Sequence, residues 1–117
     1  MMLEKYTLDH FEFTFKDKII KLPNHITGTL SLFIDKIDLW IHESPFNKEI
    51  FEVIKYLNNY KSMFIVEANS EEGNRVKLEK CALYRWGENI PGTASKQDKS
   101  ATITGIGIQS LEVKWYY

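Results

Sequence analysis

The stretches "RVKLEKCALYRW" at 75–86 and "ATITGIGIQSLEVKWYY" at 101–117 decide the fold. Both alternate in polarity, the mark of half-buried strands. A polar loop, "GENIPGTASKQDKS" at 87–100, joins them. Long strands need partners, because unpaired backbone groups at a sheet edge invite another chain. Val76 and Leu78 share a face, then Cys81 and Leu83 do, so the register slips near Glu79-Lys80. A second slip falls near Gln109-Ser110, between Ile106 and Ile108 on one side and Leu111, Val113 and Trp115 on the other. Gly105 and Gly107 fit a bend or a close backbone approach.

Working outward, "YTLDHFEFTF" at 6–15 sets Phe11, Phe13 and Phe15 on one face of a strand. "KDK" at 16–18 turns it into "KIIKL" at 18–22, and "PNH" at 23–25 breaks the pairing. In "TGTLSLFIDKIDLWI" at 27–41 the alternating set shifts from Leu30, Leu32 and Ile34 to Ile37, Leu39 and Ile41. That shift predicts a bulge or a break near Asp35-Lys36. The one helix is read over "ESPFNKEIFEVIKYLNNYK", with Ser44 as cap, Pro45 in the first turn, and a stripe of Phe46, Ile50, Val53, Ile54 and Leu57. The stripe covers the domain's own sheet, as a lone helix in a β-rich domain normally does. "SMFIVEA" at 62–68 is a strand, and "NSEEGN" at 69–74 is a turn with Gly73 suited to positive φ. The reading is a mainly β domain with one α-helix at about 45–60, spanning 1–117 as a single unit.

Composition narrows the function classes. Of 117 residues, 15 are basic and 16 acidic, a formal charge of −1, so no net field draws the chain to nucleic acid or an anionic membrane. The single Cys81 excludes an internal disulfide and fits a reducing compartment. "MMLEKYTLDH" lacks the pattern of a signal peptide, and no apolar run approaches the ~20 residues of a spanning helix. The expectation is a chain made in the cytoplasm and not membrane-embedded.

Catalytic signatures are sparse. His10, His25 and His42 stand in different elements without metal-ligand spacing, and read as surface or edge histidines. Cys81 lies inside a strand, where a buried structural thiol is the common role and a nucleophile beside a histidine the rarer one. "GENIPGTAS" lacks the ending of a phosphate loop. "ALYRW" interleaves Tyr84 and Trp86 with Arg85, a weak nucleic-acid signal in a chain that is not basic overall. Trp40, Trp86 and Trp115 each close an apolar strand segment and read as core or interface anchors. Neither an enzyme activity nor a cofactor or metal is expected.

The order of elements resembles the tube proteins of contractile injection machines, that is, phage tail-tube proteins and the haemolysin-coregulated tube protein of type VI secretion. Ser44-Pro45 stands where that family starts its helix. Leu78 to Ala82 matches a strand, and Ser110, Leu111, Val113, Trp115 and Tyr117 match the closing strand. The likeness covers about 28–117. The chain is short for the family, and 16–27 leaves little room for a ring-stacking arm; a baseplate or tail-terminator relative fits as well. The resemblance implies two packed antiparallel sheets, forming a barrel or sandwich beside one helix. It implies hexameric rings stacked around a channel that passes DNA or effectors, assembled in a virion tail or secretion tube. Its partners would be further copies and sheath, baseplate or terminator proteins. The loops at sheet ends would then carry the stacking contacts: Asp17, Lys18, Pro23, Asn24 and His25, and Gly92, Thr93, Ser95 and Lys96. The alternative class is a small protein-binding module, such as an immunity protein that neutralises a toxin. A small enzyme with a site assembled from scattered residues, in a deep polar pocket containing a histidine, is the third.

Overall fold

A computed structural model describes residues 2–45, 48–61, 63–89 and 102–116. The elements in chain order are β1 (Met2–Thr14), β2 (Ile19–Lys21), β3 (Thr27–Phe33), β4 (Ile37–Pro45), α1 (Lys48–Leu57), β5 (Phe64–Ser70), β6 (Arg75–Asn89), β7 (Thr102–Ser110) and β8 (Glu112–Tyr116). All eight strands belong to one antiparallel sheet. It closes on itself: the path β1-β3-β4-β7-β6-β5 returns to β1 through Leu8↔Ser70 and Phe13↔Val66. The two packed sheets of the tube resemblance give way to a single sheet rolled into a six-stranded barrel. Closure is available because β1 is long enough to serve two neighbours in turn, β3 along Met2–Asp9 and β5 along Leu8–Thr14.

Alternation explains what fills the barrel. Phe11, Phe13, Leu30, Leu39, Ile41, Phe64, Val66, Val76, Leu78, Ile106 and Ile108 point inward and are buried. Side chains fill a small barrel of this kind, leaving no pore through it. The helix adds Ile50, Val53, Ile54 and Leu57 of the stripe read from spacing to the same core; Phe46, its first member, lies outside the described residues. At its C-terminal end Tyr56 and Tyr60 pack on Phe15 with ring centroids 5.1 and 5.5 Å away.

One local expectation changes and two are narrowed to one of their alternatives. Ser44 and Pro45 do not start the helix: they end β4, opposite Ile103 and Thr102 of β7. Tertiary pairing overrides the capping signal, and proline is tolerated there as a strand's last residue. Of the bulge or break expected near Asp35-Lys36, the structure has the break: β3 ends at Phe33 and β4 starts at Ile37, joined by a tight hairpin turn in which Phe33 N–H donates to Lys36 O at 2.9 Å. Of the bend or close approach read for the glycines of β7, the close approach is what the structure has. A Cβ at Gly105 would fall inside the Trp40 indole, and one at Gly107 would lie 2.8 Å from Tyr84 Cζ. Both glycines let aromatic rings from neighbouring strands lie over β7.

The slips near Lys80 and Ser110 are where the sequence puts them. Lys80 takes left-handed backbone, φ 53°. Facing it, the chain bends at Leu111, so β7 pairs with the second half of β6 and β8 with the first. Ser110 holds the two irregularities together. Its Oγ lies 2.6 Å from Glu79 O and 2.8 Å from Glu112 O, and accepts from Glu112 N–H at 3.2 Å.

Candidate functional site

Barrel closure leaves some strand edges without a partner. Along Met2–Thr7, β1 pairs among the described residues with β3 on one side only, because β5 joins it from Leu8 onward. β8 pairs with β6 and, among the described residues, with no other strand. β2 is a third edge, paired among the described residues with β1 alone. These edges differ in how they are guarded. β2 has three residues, ends in Lys21 and runs into Pro23, the features that blunt an edge. The free part of β1 has Met2, Leu3, Glu4 and Lys5 all exposed. β8 alternates, with Glu112, Lys114 and Tyr116 outward and Val113 and Trp115 half-buried.

The two longer edges meet at one end of the barrel. Tyr6 of β1 and Trp115 of β8 pack together there, ring centroids 4.8 Å apart and planes tilted by 57°. Leu32, Ile37 and Val113 are half-buried against the core there. Beside them, a cavity of about 420 Å³ opens between the β3–β4 turn and the β7–β8 bend, lined by Phe33, Ile34, Lys36, Ile37, Ser110 and Leu111. Ile34 and Leu111 are 74% and 76% exposed, which leaves apolar surface unburied on both sides of the cavity. Charges on the outer face of β6 and β8 are paired: Lys114 Nζ is 2.8 Å from Glu79 Oε2, and Lys77 is 3.6 Å from Glu79 Oε1. Lys114 beside it holds the Glu79 carboxyl below its ordinary range, and Glu79 raises Lys114 in return.

The loop residues expected to stack rings fall in two places. Asp17 and Lys18 are docked on the helix: Tyr60 O–H donates to Asp17 Oδ1 at 2.6 Å, and Lys18 Nζ lies 3.6 Å from Glu52 and 5.9 Å from the Tyr56 ring centroid. That hydrogen bond raises the Tyr60 phenol above its ordinary value. Pro23, Asn24 and His25 form the turn into β3, with Ile26 N–H donating to Pro23 O at 3.1 Å. Gly92, Thr93, Ser95 and Lys96 lie outside the described residues, as does the side chain of Trp86.

Asn24 borders a cavity of about 230 Å³ of mixed lining, together with His10, Phe11, Glu12, Lys21, Leu22, Asn69 and Arg75. A β-bulge builds it. His10 adopts φ 54°, the β1–β5 register shifts between Asp9 and Glu12, and Arg75 Nη1 donates to the freed His10 carbonyl at 3.1 Å and to Asn69 Oδ1 at 3.0 Å. Asp9 Oδ1 lies 2.8 Å from His10 Nδ1. His42 Nε2 lies 2.8 Å from Thr29 Oγ1, and neither residue lines this cavity. No group of three or more His, Cys, Asp or Glu among the described residues is arranged to hold a metal ion. Cys81 is buried and bonds Leu78 O at 3.3 Å; burial pushes its thiol up to about 12, so it is no thiolate at neutral pH. Among the described residues, no helix is long and apolar enough to cross a membrane.

The bulge at His10 shows in the sequence as a phase slip, from Tyr6 and Leu8 to Phe11 and Phe13, the same signal as Leu78 to Cys81; reading 6–15 as one strand from its Phe residues passed over it. The free edges of β1 and β8 follow only from topology, which decides how far each neighbour reaches. Comparison with protein-family models, curated proteins and solved structures gives no match.

Proposed function

We propose that this chain is a structural, self-assembling subunit, of the kind that forms rings and tubes in contractile injection machines. The observation that carries the reading is the pair of unguarded edges, β1 along Met2–Thr7 and β8, at one end of an otherwise closed barrel. Unpaired backbone donors and acceptors flanked by exposed Met2, Leu3, Leu111 and Tyr116 favour strand addition from another chain. A closed barrel with one helix agrees with the coarse architecture that the resemblance implies. The Ser44-Pro45 signature does not support it, since those residues end a strand. The proposal therefore rests on the edges.

Because side chains fill the barrel, any channel runs between subunits, at the centre of a ring. The same edges would equally receive a strand from a different protein, which is the binding-module reading. Light scattering of the purified protein over a concentration series, with negative-stain images of the heaviest species, decides between them. Rings, tubes or concentration-dependent growth are expected. A strict monomer at every concentration overturns self-assembly and leaves the edges to a foreign partner.

A further inference from the structure

We infer that the two unguarded edges are each other's partners: β1 along Met2–Thr7 of one copy pairs with β8 of the next. The inference rests on the self-assembly proposed above and names its contact. A head-to-tail contact that repeats needs two different surfaces on one chain, and the barrel offers two. The third edge, β2, is too short and too well blunted to compete.

Position sets the direction of growth. The Tyr6–Trp115 ring contact puts both edges at the same end of the barrel. Pairing between them joins barrels side by side, with the sheet running on from β3-β1 of one copy into β8-β6 of its neighbour. End-to-end stacking would require edges at opposite ends. Charge agrees with the match. Among the described residues neither Lys5, on the outward face of β1, nor Glu112, on the outward face of β8, makes a close ion pair; Glu112 acts on Lys114 through its field alone, whereas Lys77, Glu79 and Lys114 are joined in close pairs on β6 and β8. Opposite charges across a strand pair favour it, and like charges oppose it. Met2 and Leu3 on one edge and Leu111 and Tyr116 on the other supply apolar area that the isolated subunit leaves in water.

Two single-cysteine exchanges test the contact, Lys5→Cys and Glu112→Cys, made in chains carrying tags of different mass. Both positions are exposed, and Cys81 is buried and stays out of the reaction. After mixing and mild oxidation, the expected product is a mixed dimer, with little cross-linking in either preparation alone. The double variant is expected to give a ladder of cross-linked species. Independently, Lys5→Glu should weaken association and Glu112→Lys should restore it when the two are mixed. Like-with-like cross-links, or particles that form without the mixed cross-link and ignore the charge swap, overturn this contact while self-assembly stands. A monomer at all concentrations overturns both.

Discussion

His10 and Lys80 hold left-handed backbone at φ 54° and 53°, a region that costs a residue with a Cβ roughly 1–2 kcal/mol. Each sits at a β-bulge, where glycine is the usual occupant. Lys80→Gly should therefore raise stability by about 1 kcal/mol, read as a higher denaturation midpoint; an unchanged or lower midpoint would mean that the Lys80 side chain contributes more than its strain removes. Gly28 is the opposite case. A Cβ there would lie 2.8 Å from Phe11 Cζ and 2.9 Å from the Trp40 carbonyl oxygen, and backbone does not yield. Gly28→Ala should cost about 1–3 kcal/mol through overpacking, which chemical denaturation measures. At Glu79 the neighbouring Lys114 depresses the carboxyl, so the folded state holds its proton less tightly than the unfolded chain does. Its contribution is present above the ordinary carboxylate range and is lost as pH falls through the depressed value. Glu79→Gln should flatten that part of the acid limb in melting temperature against pH. Cys81 has the reverse sign. Its folded value of about 12 exceeds the ordinary 9.0, so burial of the thiol opposes folding only as pH climbs from about 9 toward 12.

Elements show which signals a sequence carries. Alternation placed the strands around Phe13, Leu30, Val66 and Ile108, and helical spacing placed Ile50, Val53, Ile54 and Leu57, because both periods report directly on which side chains leave water. The phase slips at Lys80 and Ser110 were legible for the same reason. The Ser44-Pro45 capping signal misled, because capping is local and the pairing of β4 with β7 is not. Loops and edges were the least legible. Asp17 and Lys18 looked like a solvated turn until the fold brought Tyr60 and Glu52 to them. Ser110 is the residue on which β6, β7 and β8 converge, so its loss belongs to this scale. Ser110→Ala removes the one hydroxyl proton that serves the carbonyl of Glu79 or of Glu112, and the oxygen that accepts from Glu112 N–H, at about 1–3 kcal/mol. Amide hydrogen exchange should accelerate along Glu112–Tyr116 more than along Phe64–Ser70; equal acceleration in both would place the effect outside the junction.

For the whole molecule, the barrel joins residues far apart in the chain. Leu8 pairs with Ser70, and Ile37 with Ser110. No hairpin-sized piece contains a complete core, and the first strand contributes Leu8, Phe11 and Phe13 to it. Phe13→Ala should cost about 3–5 kcal/mol and unfold the barrel as one unit, with fluorescence and circular dichroism giving coincident transitions; separate transitions would divide the core into independent parts. The long reach of the β1–β5 seam also has a consequence in time. During synthesis the early strands cannot close their ring until the segment at 64–70 has emerged, and β4 waits longer still for β7. Chains dominated by such distant pairings fold in milliseconds to seconds rather than microseconds. In that interval Phe11 and Phe13 remain open to neighbouring chains, so yield on refolding should fall steeply with protein concentration, and a nascent-chain chaperone that shields the first strand would matter more to this barrel than one acting after release.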